Sequence, residues 1–145
     1  MCIRDRVEWL GRISNEEKRS RLAGADAFCA PSLGGESFGV VLLEAMAAGT
    51  PIVASDISGY SLVARQGSDA LLIPPGDAEA LGAGLVEALA GGPAAQLRVD
   101  RGRDRAQEFS MESLADIYVE MYERLFAEFG HAGDRARRQS WWSAR

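Results

Sequence analysis

Two kinds of hydrophobic pattern alternate along the chain. Short apolar runs predict β-strands at Val7–Leu10, Asp26–Ala30, Pro51–Ser55 and Asp69–Ile73. Segments with helical spacing, cap residues and Gly or Pro ends predict helices at Glu16–Ala23, Gly39–Gly49, Tyr60–Gln66, Asp77–Ala90, Ala94–Gln107 and Met111–Phe129. Ser14 or Asn15 is the predicted cap of the first of these, Asp77 opens the fourth, and Ser110 is the predicted cap of the last. Because strands and helices alternate, we expect an α/β fold in which helices cover both faces of a parallel sheet.

The longest uninterrupted apolar segment is the predicted second helix. Between Gly39 and Gly49 every side chain except Glu44 is apolar or absent, so we expect this helix to be buried on most sides. Ser37 is the predicted N-cap. Because the first N–H groups of a helix have no intrahelical acceptor, the loop that ends at Gly39 is an expected anion-binding position.

Two glutamates mark this segment as a candidate binding site. Burial of the Glu44 carboxylate is costly without a partner, and two partners remain open: a pair of ligand hydroxyls, or an arginine. The absence of a basic residue one turn away on the same helix favours the ligand. Glu36 lies roughly 10 Å from Glu44 along the helix axis, a distance that spans part of a nucleotide sugar. Taken alone, Glu36 is equally well explained as an acid favoured by the helix dipole.

The sequence GGESFGVVLLEAMAAGTP at residues 34–51 carries a family resemblance. It resembles the donor-site signature of retaining glycosyltransferases with two Rossmann-like domains, the GT-B fold of glycosyltransferase group 1 or family 4. This segment is most similar in sequence to the corresponding segment of bacterial phosphatidylinositol mannosyltransferases. The resemblance covers about Val7 to Phe129 and implies a partial C-terminal GT-B domain, a parallel Rossmann-like sheet, followed by a long C-terminal helix.

The resemblance assigns roles to particular residues. It implies that Glu36 is the catalytic carboxylate, which contacts the donor sugar and stabilises positive charge at the reacting carbon. It implies that Glu44 accepts hydrogen bonds from the ribose hydroxyls and that Gly11 and Arg12 lie beside the nucleotide base, although Arg12 also suits a plain turn. The other expected donor-binding residues, several of them through backbone N–H groups, are Gly34, Gly35, Ser37, Phe38, Gly39, Val40 and Val41.

Composition narrows the classes of partner. With a net charge of −5 and no dominant basic stripe, the chain is not expected to bind nucleic acid. No metal site and no cofactor is predicted. The two cysteines, Cys2 and Cys29, do not form a disulfide framework, which favours a reducing cytoplasm. The resemblance implies a GDP- or UDP-sugar as donor, a lipid or glycan acceptor held by another domain, and peripheral association with the inner face of the plasma membrane.

The two ends of the chain do not follow the family pattern. Residues 1–6 are interpreted as a non-native leader, residues 7–129 as the partial nucleotide-sugar-binding domain, and residues 130–145 as a disordered tail. Alternatively, Trp141 and Trp142 in this tail dock on another domain or on a membrane surface.

Three functions remain open at this point. The chain is the donor-binding part of a hexosyltransferase, a nucleotide-binding fragment without turnover, or part of a nucleotide-sugar epimerase that shares the GT-B fold. The resemblance also implies a first domain and, earlier in the second domain, an arginine and a lysine that clamp the diphosphate, and we expect both to lie outside the 145 residues. We therefore expect the chain by itself to bind nucleoside diphosphates weakly and to transfer no sugar.

Overall fold

Helices and short strands alternate along residues 6–129, which are the residues that the computed structural model describes. The proposed leader, apart from Arg6, and the predicted tail with Trp141 and Trp142 lie outside this range. The elements are α1 (Asn15–Ala23), β1 (Phe28–Ala30), α2 (Val40–Ala48), β2 (Ile52–Ser55), α3 (Ser58–Ser61), β3 (Leu71–Ile73), α4 (Ala78–Ala90), α5 (Pro93–Glu108) and α6 (Met111–Phe129).

The three strands form one parallel sheet in the order β1–β2–β3. In the register of this sheet, Cys29 pairs with Val53, and Val53 in turn pairs with Leu71. A parallel pair requires a crossover connection, and α2 supplies it between β1 and β2. The prediction of an α/β fold with a parallel sheet is confirmed.

Helices pack on the sheet and on one another to position α2. On one side, α4 contacts β2 and β3 through a core of Val53, Ile73 and Ala88. The second helix, α2, packs against α1, α5 and β2, and buries Leu42 and Met46 almost completely. Helix α2, which follows the glycine loop at residues 34–39, is therefore supported by elements from several parts of the sequence.

Helix starts follow the predicted cap residues in three places. The Ser14 hydroxyl accepts a hydrogen bond from the N–H of Glu17 at 3.1 Å, and α1 begins at the next residue. The Asp77 carboxylate does the same for Ala80 at 2.9 Å at the start of α4. Ser110 caps α6 through the N–H of Ser113 at 3.1 Å. These caps satisfy N–H groups that have no acceptor within their own helix.

The strands are shorter than predicted. Pro51 has no N–H to donate, so β2 begins at Ile52, and β1 begins opposite it at Phe28 rather than at Asp26. The prediction of a strand at Val7–Leu10 is wrong. These residues form no strand and are exposed, because no strand in residues 6–129 lies beside them.

The predicted helix at Tyr60–Gln66 is also wrong. The helix is α3 at Ser58–Ser61, and the chain then turns because the Asp69 carboxylate accepts hydrogen bonds from the N–H and from Nε of Arg65, both at 2.8 Å. This turn moves the start of β3 from Asp69 to Leu71.

Two burial predictions need correction. Cys29 is exposed, because β1 is an edge strand of the described sheet. Helix α2 is fully buried only at Leu42, Ala45 and Met46: Val40 is 57% exposed, Ala47 is also exposed, and the other side chains of the helix are half-buried. An apolar sequence therefore identifies α2 as a core helix but does not indicate which of its side chains the core covers.

The chain divides into two compact units, and α6 belongs to the second, which begins at Phe109. The predicted apolar stripe is present on α6, but no residue of this helix is buried. Tyr118 and Tyr122 stack on its surface with their ring centroids 6.3 Å apart. Among the helices in the described range, none has the length and apolar character needed to cross a bilayer.

Two buried hydroxyls in the first unit provide a matched stability test. Thr50 Oγ1 donates to the carbonyl of Leu22 at 2.5 Å, whereas the fully buried Ser55 Oγ has no hydrogen-bond partner among residues 6–129. We expect Thr50→Val to lower the free energy of unfolding by about 0.5–1.5 kcal/mol, because it removes one buried hydrogen bond to the Leu22 carbonyl, which keeps the N–H of Ala25 as a donor. Ser55→Ala is expected to leave that free energy unchanged or to raise it. Urea unfolding followed by circular dichroism measures both, and an equal loss in the two variants would contradict the assignment.

Candidate functional site

The carboxylate of Glu36 organises the loop that leads into α2. Its Oε1 atom accepts hydrogen bonds from the backbone N–H groups of Ser37, Phe38 and Gly39 at 3.1, 3.3 and 3.2 Å. Three consecutive N–H groups thus converge on one oxygen of the Glu36 carboxylate. The loop therefore directs three of its backbone N–H groups at a carboxylate from its own sequence.

The prediction that Ser37 caps α2 is wrong. The helix begins at Val40, and its N-cap is Gly39, which has a left-handed backbone (φ +92°) and no side chain to accept a hydrogen bond. The carboxylate of Glu36 takes the N–H groups just before the helix, a role expected of a capping side chain. Ser37 is exposed and contributes its backbone N–H to the same oxygen.

These hydrogen bonds favour the charged form of Glu36. Donation from Phe38, then from Gly39 and Ser37, lowers the pKa of the Glu36 carboxyl below its ordinary value, while desolvation opposes the shift. Glu36 therefore carries a fixed negative charge at the start of α2 at neutral pH. A carboxylate held in this way has its direction set before any ligand arrives, which is the requirement for stabilising positive charge on a reacting atom.

Glu44 has a partner that the sequence did not indicate. Its Oε1 atom lies 2.5 Å from Nζ of Lys18 on α1, and both side chains are about one-third exposed. Of the two partners left open for Glu44, a basic residue is observed, although it is a lysine from another helix. Because an ionised carboxylate has about four acceptor positions on its two oxygens, the ion pair does not exhaust the capacity of Glu44.

The sequence offered no signal for Lys18. The rule applied to Glu44 searches one turn along the same helix, and Lys18 precedes Glu44 by 26 residues. Only the packing of α1 against α2 brings the two charges together.

The other predicted binding residues fall in two places. Gly34 and Gly35 precede Glu36 in the loop, Phe38 and Val40 are 39% and 57% exposed, and Val41 is half-buried. Gly11 and Arg12 lie in the exposed segment before α1, where Gly11 has a φ of +60°. The loop residues thus lie directly before the start of α2, whereas Gly11 and Arg12 lie in a separate segment of the chain. Within residues 6–129, no group of three or more His, Cys, Asp or Glu side chains is arranged to hold a metal ion.

The parallel sheet, the crossover helix and the glycine loop at the carboxyl end of β1 define a Rossmann-like domain of the kind found in GT-B glycosyltransferases. Residues 2–105 match the family model described as glycosyl transferases group 1. The chain belongs to this family.

Curated relatives and a solved structure agree with this assignment. Phosphatidyl-myo-inositol mannosyltransferase from Mycobacterium leprae is 38% identical over 121 residues, which are 83% of this chain and 32% of the relative. An exopolysaccharide phosphotransferase from Streptomyces coelicolor is 38% identical over 139 residues, 95% of this chain and 14% of the relative. Sucrose-phosphate synthase from Thermosynechococcus elongatus superposes with a TM-score of 0.74 at 36% identity, covering 86% of this chain and 31% of that one. The chain spans about a third or less of these proteins.

The loop geometry predicts how Glu36 titrates. We expect the pKa of its carboxyl to lie below the ordinary value for a glutamate, because the three N–H donors favour the carboxylate. The stabilisation they provide is fully present above the ordinary pKa and is lost as the pH falls through the lowered pKa of the folded chain. Carbon-detected NMR of the Glu36 side chain measures this pKa, with Glu36→Gln to identify the signal. Titration at or above the ordinary value would show that the hydrogen bonds are absent in solution.

Proposed function

We propose that this chain is the donor-binding part of a retaining hexosyltransferase that takes its sugar from a nucleoside diphosphate. The observation that carries the proposal is the Glu36 carboxylate before the start of α2, held by three N–H groups, with Glu44 eight residues further along the chain, on the helix. Membership in the glycosyl transferases group 1 family supports this assignment.

Glu36 is proposed to act at the reacting carbon. When the bond to the diphosphate breaks, positive charge develops on the sugar ring, and a carboxylate fixed beside it lowers the energy of that state. The backbone N–H groups of Val40 and Val41 belong to the first turn of α2, where no intrahelical acceptor is available. They are proposed to bind the diphosphate or the sugar, with the helix dipole favouring the negative charge.

Glu44 is proposed to accept hydrogen bonds from the ribose hydroxyls. Its ion pair with Lys18 holds the carboxylate in position on the partly exposed side of α2. Gly11 and Arg12 are proposed to lie beside the base, and Gly34, Gly35, Ser37, Phe38 and Gly39 to form the wall of the donor site.

The donor sugar and the acceptor are proposals by analogy. The name of the Mycobacterium leprae relative suggests mannose as the hexose and a lipid as the acceptor. GDP-mannose and UDP-glucose are therefore the first donors to test. A second domain of the parent protein would hold the lipid or glycan acceptor, in the cytoplasm at the inner face of the membrane.

Nucleotide affinity tests the role of Glu44. We expect Glu44→Ala in the full-length parent to weaken the binding of GDP or UDP by about 1.5–3 kcal/mol, because the ribose loses a charged acceptor. Glu17→Ala removes another partly exposed, ion-paired glutamate, from α1, and is the matched control. Isothermal titration calorimetry measures the Kd for GDP and for UDP in the parent and in both variants. Equal affinity in the parent and in Glu44→Ala would remove Glu44 from the site.

Turnover tests the role of Glu36. We expect Glu36→Gln in the parent to lower kcat by about two orders of magnitude, a typical loss for a group that stabilises transition-state charge. The glutamine amide oxygen still accepts the N–H groups of the loop, so nucleotide affinity should change little. The assay follows transfer from GDP-mannose and UDP-glucose, and NMR of the product establishes whether the anomeric configuration is retained. A normal kcat in Glu36→Gln would reject the assigned role, and nucleotide binding without transfer by the parent would favour a non-catalytic domain.

A further inference from the structure

The loop that carries Glu36 lies against a second element, the short helix α3 that follows β2. The main chain at Glu36 passes Gly59 of α3 at very short range. A Cβ placed on Gly59 would lie 2.2 Å from the Glu36 carbonyl oxygen. No side chain fits at that position without moving the backbone of one of the two segments. The main chain of the loop that carries Glu36 is thus in direct contact with the main chain of α3.

Tyr60 holds the same loop at both of its ends. Its hydroxyl lies 3.0 Å from the Ser32 hydroxyl, at the start of the loop, and either oxygen is able to donate. Its ring lies under Gly39, at the end of the loop, where an added Cβ would be 3.0 Å from Tyr60 Cδ1. Tyr60 is only 3% exposed, so its ring has little freedom to move away.

The turn that directly follows α3 is anchored by a residue from a distant part of the sequence. Nε and Nη2 of Arg105 on α5 donate to the carbonyls of Val63 and Leu62 at 3.0 and 3.2 Å. The Arg105 side chain is 19% exposed and also forms an ion pair with Glu108. The segment that carries Tyr60 is therefore held in place by hydrogen bonds from α5.

From these contacts we propose that Tyr60 is a positioning residue for Glu36, acting through the Ser32 hydroxyl and Gly39 to set the loop between them. It touches neither the donor nor the reacting carbon in this assignment. With the ends of the loop fixed, the N–H groups of Ser37, Phe38 and Gly39 stay directed at one oxygen of Glu36. The inference deepens the proposed function and rests on it for its kinetic consequences.

The kinetic test uses Tyr60→Phe, Ser32→Ala and the double variant in the full-length parent. Each single change deletes one hydroxyl of the same pair and keeps the shape of the side chain. We expect each to lower kcat about three- to tenfold, the effect of one neutral hydrogen bond on a rate. Because both changes remove one shared interaction, the double variant should lose no more than either single variant. The Kd for the nucleotide should stay within about twofold of the parent value.

Ser61→Ala is the matched control. Ser61 follows Tyr60 on α3, but its hydroxyl donates to Asp56 and to the Ile57 carbonyl, not to the loop. We expect this variant to keep the parent kcat. An unchanged kcat in Tyr60→Phe, or an equal loss in Ser61→Ala, would overturn the inference, since the effect would then not pass through Ser32.

A second measurement on the 145-residue chain separates this inference from the proposed function. If the loop loosens, the pKa of Glu36 should rise towards its ordinary value in Tyr60→Phe and Ser32→Ala, but not in Ser61→Ala. NMR titration measures this without any sugar transfer. A parent that transfers no hexose would reject the proposed function alone, whereas an unchanged Glu36 pKa in Tyr60→Phe would reject the role of Tyr60.

Discussion

The hydrogen bonds between the Glu36 carboxylate and three consecutive backbone N–H groups are the constraint on which the candidate site depends. They bring a charged side chain and the start of a helix into one rigid feature. Without the carboxylate, the N–H groups before Val40 would need another acceptor, and without those N–H groups the carboxylate would have no fixed direction. Gly39 completes the feature, because only a residue without a side chain both adopts its positive φ and lies this close to the Tyr60 ring.

The parallel sheet explains why the loop after β1 meets the helix after β2. The carboxyl ends of neighbouring parallel strands lie at the same edge of a sheet, so the segments that leave them are neighbours in space. Here the segment after β1 carries Glu36, and the segment after β2 carries Gly59 and Tyr60. The pairing of Ala30 with Ala54 brings the two exits level with each other. The contact between the loop and α3 is thus a consequence of sheet register as much as of the local sequence.

Local signals predicted many of the elements, and two of the errors have different causes. Serine or aspartate caps identified the starts of α1, α4 and α6, because a cap is an interaction within four residues. The strand proposed at Val7–Leu10 failed, since an apolar run forms a strand only where another strand pairs with it. The helix proposed at Tyr60–Gln66 failed because Asp69 binds the N–H and side chain of Arg65, an interaction that helical periodicity does not detect.

The sequence by itself determined the alternation of strands and helices, the glycine loop with Glu36 and the following helix with Glu44, and the resemblance to the family to which the chain belongs. These features depend on residues that are close together along the chain. The tertiary structure decided the contacts between distant parts of the chain: Lys18 pairs with Glu44 across 26 residues, and the Tyr60 hydroxyl pairs with that of Ser32 across 28. It also decided that Glu36, rather than Ser37, takes the N–H groups before α2. Such contacts follow from how helices and strands pack, and the local periodicity of a sequence does not specify that packing.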